Sequence, residues 1–163
     1  MSRPILKVVL GAPLAALVAA QFFQPGRTNP VSDPASSFQT VARPPADVTA
    51  IVKRSCHDCD SNDTAWPWYS RVSPVSWLMA LDVQGGRTHM NFSEWARFGP
   101  EMVRSRSHEI CEEATSGNMS LWYSVALHPT ARLNREEIST LCTSWWRNDE
   151  VHVRAGATAS RPE

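Results

Sequence analysis

Two cysteines separated by two residues mark the segment of this chain with the clearest chemical signature. Cys56 and Cys59 stand in "RSCHDCDSNDTAWPWYS", residues 54–70, and are followed directly by Asp60. The spacing is that of the C-x-x-C-H signature through which c-type haem is attached, except that a carboxylate takes the place of the histidine. An oxygen donor is hard and substitutes poorly for imidazole on haem iron. A local disulfide or a bare dithiol is the alternative interpretation of the pair.

Other side chains can be considered as metal ligands near this pair. His57 lies between the cysteines, but on a helix its side chain projects about 100° from that of Cys56, so it does not simply replace the missing ligand. Met119, in "SGNMSLWY", follows a predicted helix end, as second axial ligands of c-type sites do, although a methionine near aromatic rings is more often core filler. His128, in "ALHPTARL", is an alternative ligand. A zinc site confined to residues 56–60 is not expected, because structural zinc gathers ligands from separated segments.

The other two of the four cysteines lie on or beside the apolar stripes of two predicted helices. In an oxidising compartment, a Cys111–Cys142 disulfide would join these helices and close a loop of about 30 residues, which stabilises a fold by roughly 3–4 kcal/mol. Two buried, reduced thiols that act as small apolar side chains are the alternative.

Composition excludes several classes of function. The chain has 163 residues, enough for one modest domain, and its 16 basic and 16 acidic residues cancel, so nothing favours capture of nucleic acid. Seven tryptophans and twelve prolines indicate a loop-rich domain with large rings in its core. No catalytic residue is identified. A thiol–disulfide enzyme is disfavoured, because no βαβ frame is visible and Asp58 and Asp60 would raise the thiol pKa.

The N-terminus has the layout of an export signal. Arg3 and Lys7 precede an apolar stretch, 8–23, after which the chain becomes polar and rich in proline. Residues 1–23 are therefore predicted to be a signal peptide or a retained signal anchor, with everything beyond them exported. Residues 24–44 are rich in Pro, Ser and Thr and are predicted to be an extended spacer between membrane and domain.

The chain from residue 45 to residue 149 is predicted to form a small all-α domain. Helices are expected to begin near Pro45, Pro74, Pro100 and Asn134, with the second ending at Gly85–Gly86 and the third at Gly117. The stretch between the third and the last predicted helix is predicted to be irregular. No run alternates with period two, and residues 150–163 are predicted to be a flexible tail.

Several motifs in a fixed order make this sequence resemble a bacterial haem-binding domain family. They are "CHDCDSNDTAWPWYS" (56–70), "PVSWL" (74–78), "DVQGGR" (82–87) and "NFSEW" (91–95), followed by a methionine segment (117–133) and a closing helix. The N-terminal apolar segment, with Q-F-x-x-P and T-N-P after it, is similar to the family's membrane anchor, which favours retention over cleavage. The resemblance extends over about residues 20–147.

The resemblance implies a small cytochrome c-like domain in the bacterial periplasm, anchored to the inner membrane, that transfers electrons to redox partners or senses redox state or ligands. By position, haem c would be attached to Cys56 and Cys59, with Met119 as the distal ligand. Asp60 stands where the family carries the proximal histidine, and Ser120 where a proline usually follows the methionine, so altered axial ligation is expected. The alternative is a haem-free descendant, stapled by disulfides, that serves as a structural or interaction module.

Overall fold

The computed structural model describes residues 3–145, and every regular element in that range is helical. The helices are α1 (Arg3–Ala20), α2 (Phe38–Val41), α3 (Ala46–Ser55), α4 (Val75–His89), α5 (Pro100–Ser116), α6 (Trp122–Leu127) and α7 (Arg135–Ser139). Short 3₁₀ turns lie at Pro34–Ser36, Trp68–Arg71, Phe92–Arg97 and Pro129–Ala131, and a π-helical turn, Thr140–Trp145, follows α7. The predicted all-α fold is confirmed. The tail predicted at 150–163 lies outside the described residues.

Several helix boundaries follow the sequence signals. α3 buries its predicted apolar face, and α5 begins at Pro100. Gly117 ends α5 with a φ of 80°, a left-handed conformation that glycine adopts without steric cost. The side chain of Asn134 accepts a hydrogen bond from the Glu137 amide while the Glu137 carboxylate accepts one from the Asn134 amide, so the predicted capping box opens α7.

Two predicted boundaries are wrong. α4 does not end at Gly85–Gly86 but continues through both glycines to His89. The stretch predicted to be irregular contains α6. Glycine is usually a helix terminator because it costs about 1 kcal/mol relative to alanine inside a helix. In α4, the second glycine serves instead to allow a close approach to another segment, as described below.

The end of α1 is fastened to the loop that precedes α4. Ser73 donates from its hydroxyl to the Ala20 carbonyl at 3.1 Å, and its amide donates to the side chain of Gln21 at 3.1 Å. Gln24 in turn donates to the Ser73 hydroxyl at 2.8 Å. No helix in the described part of the chain is long and apolar enough to span a membrane. The polar contacts of Ser73 with Ala20, Gln21 and Gln24 hold the end of α1 against the domain.

The segment predicted to be a spacer contributes to the core. Phe38 is fully buried, and its ring packs edge-on against Phe92 at 5.2 Å and Trp95 at 4.7 Å between centroids. Ala42 is also buried in this cluster. The interpretation of residues 24–44 as a spacer outside the domain is corrected on this point, because a few apolar residues in a proline-rich segment are enough to anchor it.

Arg87, on α4, connects this N-terminal segment to the cysteine-containing turn. Its guanidinium donates to the Thr28 carbonyl and the Asn29 side chain, each at 2.9 Å. It also donates to the Ser61 carbonyl at 2.7 Å and the Thr64 hydroxyl at 2.9 Å. One planar, always charged group thus satisfies acceptors from both segments.

Candidate functional site

The two cysteines lie in a tight turn directly after α3. Cys56 caps the helix by donating its amide to the Val52 carbonyl at 2.9 Å, and the amides of Cys59 and Asp60 donate to the Cys56 carbonyl at 3.2 and 3.0 Å. This turn separates the two side chains. Cys56 is buried in the core cluster, whereas Cys59 is half-buried, and both thiols are free of disulfide bonds.

A cavity of about 510 Å³ adjoins the turn. Its wall includes Cys59 and Asp60 from the turn, Gly86 and Met90 from the end of α4, and Met119 from the loop after α5. The structure therefore brings together a cysteine, the residue at the expected proximal position and the predicted distal ligand. Ligand sites are typically concave and about 300–1,000 Å³ in volume, so the cavity has the size of a cofactor site.

Gly86 brings α4 into direct contact with the cysteine turn. A Cβ atom at Gly86 would stand only 2.7 Å from the carbonyl oxygen of Cys59 and 2.7 Å from Oδ1 of Asp60. Real Cβ atoms do not approach other atoms so closely, so only glycine fits this position. The contact fixes one wall of the cavity.

Hydrogen bonds between buried polar groups hold the segment after the cysteine turn against the segment that follows α4. Asn91 donates from its side chain to the side-chain oxygen of Asn62 at 2.8 Å, and the Asn62 amide donates to the Ser93 hydroxyl at 3.0 Å. The Phe92 amide donates to the Asp60 carbonyl at 2.7 Å. The S-N motif (61–62) and the N-F-S motif (91–93) therefore depend on each other, because each provides hydrogen-bond partners for buried polar groups of the other.

Asp60 is the most electrostatically perturbed residue of the site. Burial raises the pKa of its carboxyl group from 3.8 to about 7. Among the described residues, none forms a hydrogen bond with this carboxylate. At neutral pH the protonated and ionised forms therefore coexist, and the group can accept a ligand's proton or donate one.

Both thiols are held in their neutral form. Burial and then the neighbouring Asp60 raise the pKa of Cys59 to about 12, with Asp82 and Asp58 acting in the same direction. Burial likewise raises the pKa of Cys56 well above its usual value. A redox-active C-x-x-C motif needs a lowered thiol pKa, so this environment is opposite to that of a thiol–disulfide enzyme.

Met119 is placed by backbone and side-chain contacts of its loop. Its amide donates to the Glu113 carbonyl at 3.0 Å, which returns the chain against α5 after Gly117. The hydroxyl of the next residue, Ser120, donates to the Ala131 carbonyl at 2.7 Å and ties the loop to the 3₁₀ turn after α6. Met119 thus lines the cavity on a loop that is fixed on both sides.

His128 lies on a second cavity, of about 170 Å³, rather than on the first one. This smaller cavity shares Cys59 and Asp82 with the larger one. The Tyr123 hydroxyl donates to both carboxylate oxygens of Asp82 at 3.0 Å, and the Tyr69 hydroxyl contacts His128. His128 therefore contacts a tyrosine and, in contrast to Met119, does not line the larger cavity.

His57 does not line the larger cavity. Its Nδ1 atom lies 3.2 Å from the hydroxyl of Ser61, within the turn itself. In the described range, residues 3–145, no group of three or more histidine, cysteine, aspartate or glutamate side chains is arranged to hold a metal ion. His57 thus contacts Ser61 within the turn and is not among the residues that line the larger cavity.

The predicted disulfide is present. Cys111, on α5, is bonded to Cys142, in the π-helical turn, with their Cα atoms 5.5 Å apart. The adjacent residues Glu109, Ile110 and Glu112 line the larger cavity. The disulfide therefore fastens the helix that forms one wall of the site.

Gly86 and Met90 are among the cavity-wall residues that the sequence does not identify as part of a site. The Gly85–Gly86 pair predicts a helix end. A glycine inside a helix can also allow another segment to approach closely, and this is the role of Gly86 in the structure. Met90 has no distinguishing sequence pattern, because a methionine near aromatic residues is usually core filler. Their proximity to Asp60 depends on how α4 crosses the turn.

Comparison with known proteins gives the chain a family. No curated protein and no solved structure matches it. A family model described as a haem-binding domain matches residues 15–148, which is most of the chain. The match includes the turn, both cavities and the predicted distal ligand, and it agrees with the extent of the sequence resemblance. The chain belongs to the haem-binding domain family.

Proposed function

We propose that this protein is an exported c-type haem protein, in which haem occupies the 510 Å³ cavity beside the cysteine turn. The observation that supports this most strongly is the convergence of Cys59, position 60 and Met119 on one cavity wall. Met119 lies far along the chain from the Cys59–Asp60 turn, and the types of Cys59 and Met119 match the covalent and axial attachments of haem c.

The cavity is chemically suited to bind haem. Its volume lies within the range of cofactor sites, and its wall offers a thiol and a thioether as soft donors. Thioether bonds would form with Cys59, which lines the cavity, and with Cys56, which is buried in the core cluster and does not line the cavity. Bound haem would supply one-electron chemistry and a site for small ligands.

Asp60 favours ligand sensing over rapid electron transfer. Its carboxyl group is buried, lacks a hydrogen-bond partner among the described residues, and has a pKa raised to about 7. It is a weak ligand for haem iron in either protonation state. A weakly held axial position is easily vacated for a small molecule, whereas fast electron transfer requires a ligand set that stays unchanged.

The proposed location is the periplasm, with the N-terminal segment anchoring the protein in the inner membrane. The Cys111–Cys142 disulfide supports an oxidising compartment, since such bonds rarely persist in the cytosol. The polar contacts between Ser73 and the end of α1 would hold the domain close to the bilayer surface. Periplasmic redox partners are part of this proposal.

The test is a haem stain of the full chain produced with c-type haem attachment machinery, combined with the mass of the Cys56–Cys59 peptide. The native protein is compared with Asp60→His, which restores an imidazole, and with Asp58→His, which adds one at an exposed position of the same turn. We expect the native protein to carry haem and Asp60→His to bind it more completely. Asp58→His should resemble the native protein.

A haem-free, disulfide-stapled interaction module is the second candidate. The buried position of Cys56 and the carboxylate at position 60 favour it, because both work against haem attachment. In that case the native protein would be colourless. Staining of Asp60→His alone would identify the native cavity as an inherited scaffold that no longer takes the cofactor.

A further inference from the structure

Met90 is a buried methionine on the wall of the larger cavity. It follows α4 directly, is only 3% exposed, and lines the same cavity as Asp60 and Met119. Its amide donates to the Gly86 carbonyl at 2.8 Å. Gly86 is the residue whose backbone touches the Asp60 carboxylate.

A second contact fixes Met90 from the other side. Two residues later, the Phe92 amide donates to the Asp60 carbonyl at 2.7 Å. Met90 therefore lies in a short connection whose two ends both contact the cysteine turn. Met90 thus lines the cavity from a segment whose backbone is tied to Gly86 and, through Phe92, to Asp60, whereas Met119 lines it from the loop after α5.

The neighbouring donor, His89, is arranged differently. Its side chain is 69% exposed, and its Nδ1 atom lies 3.0 Å from the guanidinium of Arg106. Of the two potential ligands at the end of α4, the buried one is the methionine. The cavity thus has two thioethers, on separate elements, and no buried imidazole among the described residues that line it.

Thioether sulfur is an established axial donor to haem iron, whereas a carboxylate is a poor one. We propose that Met90 supplies the ligand that Asp60 does not, as a thioether that would bind the haem iron in addition to Met119 and that a small molecule could displace. This inference rests on the proposed function, since it requires haem in the cavity. Coordination forms a bond between each sulfur lone pair and the iron and involves no change of oxidation state.

The test uses the haem-loaded full chain and its Met90→Leu and Met119→Leu variants. Leucine keeps the volume and apolar character of methionine, so the core is little disturbed. Met79→Leu is the matched control, because Met79 lies on α4 but lines only the smaller of the two cavities. We expect the ferric sulfur-to-iron charge-transfer band to change in both Met90→Leu and Met119→Leu, to disappear when both methionines are replaced, and to stay unchanged in Met79→Leu.

A second measurement uses the unmodified protein and does not depend on the folding of any variant. The chain has five methionines, and labelling their methyl carbons gives one signal each in the spectrum of the reduced protein. Two methyl signals displaced strongly upfield by the haem ring current are expected. A single displaced signal overturns the inference.

The outcomes separate this inference from the proposed function. If haem is attached and Met90→Leu keeps the native spectrum while Asp60→Asn changes it, the carboxylate is the ligand and Met90 is a packing residue. If the native chain carries no haem at all, the proposed function fails, and the role of Met90 fails with it.

Discussion

The backbone of Gly86 and the carboxylate of Asp60 are in such close contact that a Cβ atom on Gly86 would lie 2.7 Å from Oδ1. This contact places α4 against the cysteine turn and positions Met90 at the cavity wall. The same helix carries Arg87, which holds the N-terminal segment. The contact between Gly86 and the cysteine turn therefore positions both the cavity wall and the residues that Arg87 binds.

The first prediction concerns this contact. Gly86→Ala should lower the free energy of unfolding by about 1–3 kcal/mol, since the added methyl group meets backbone atoms of Cys59 that cannot move independently. Gly85→Ala is the matched control, because nothing lies within 4 Å of a Cβ at that position. It should stabilise the helix by about 0.5–1 kcal/mol. Urea unfolding of both variants measures the difference, and equal effects would contradict the close contact.

The second prediction concerns pH. The pKa of Asp60 is raised from 3.8 to about 7 in the folded chain, so between these values the folded state binds more protons than the unfolded state. Stability due to this group is therefore greatest below about pH 4 and is lost as the pH rises to about 7, with a total cost on the order of 4 kcal/mol. Asp60→Asn should remove this dependence and be more stable than the native chain at pH 8.

Urea unfolding at a series of pH values checks the second prediction. Asp63→Asn, an exposed carboxylate of the same segment, is the control and should keep the native pH profile. A native profile that is flat between pH 4 and 7 would show that the Asp60 carboxyl group is solvated or paired in solution.

The third prediction concerns Arg87. Arg87→Lys keeps the positive charge but cannot reach the separate acceptors on the N-terminal segment and the cysteine turn, so a loss of about 2–3 kcal/mol is expected. The N-terminal segment should also become more susceptible to trypsin at Arg27. Arg71→Lys, at an exposed position, should change neither property. Unchanged protection of Arg27 in Arg87→Lys would mean that the core contact of Phe38 alone holds the segment.

The fourth prediction concerns the disulfide. Cys111→Ser, Cys142→Ser and the double variant should each lose about 3 kcal/mol, because the same 31-residue link is removed in all three. Titration of thiols in the unfolded native chain without attached haem should find two, those of Cys56 and Cys59. Four titratable thiols, or additive effects of the two single variants, would contradict the bond.

The sequence determined the features that depend on neighbouring residues. The glycine with positive φ after α5, the capping box of α7 and the apolar face of α3 each arise from hydrogen bonds or side-chain periodicity within a few positions. The disulfide could also be predicted, since the two cysteines fall on apolar faces of separate helices. These local signals were sufficient for the all-α class and, together with the ordered aromatic motifs, for the family.

The tertiary structure decided which of these residues share a site. Cys56 and Cys59 have the same local pattern, yet one is buried in the core and the other faces the cavity, because α3 ends in a turn that directs them differently. Met90 and Gly86 become part of the site only where α4 crosses that turn. These contacts depend on packing between segments that lie tens of residues apart in sequence. Local sequence patterns extend over only a few residues, so they cannot predict which distant segments will pack together.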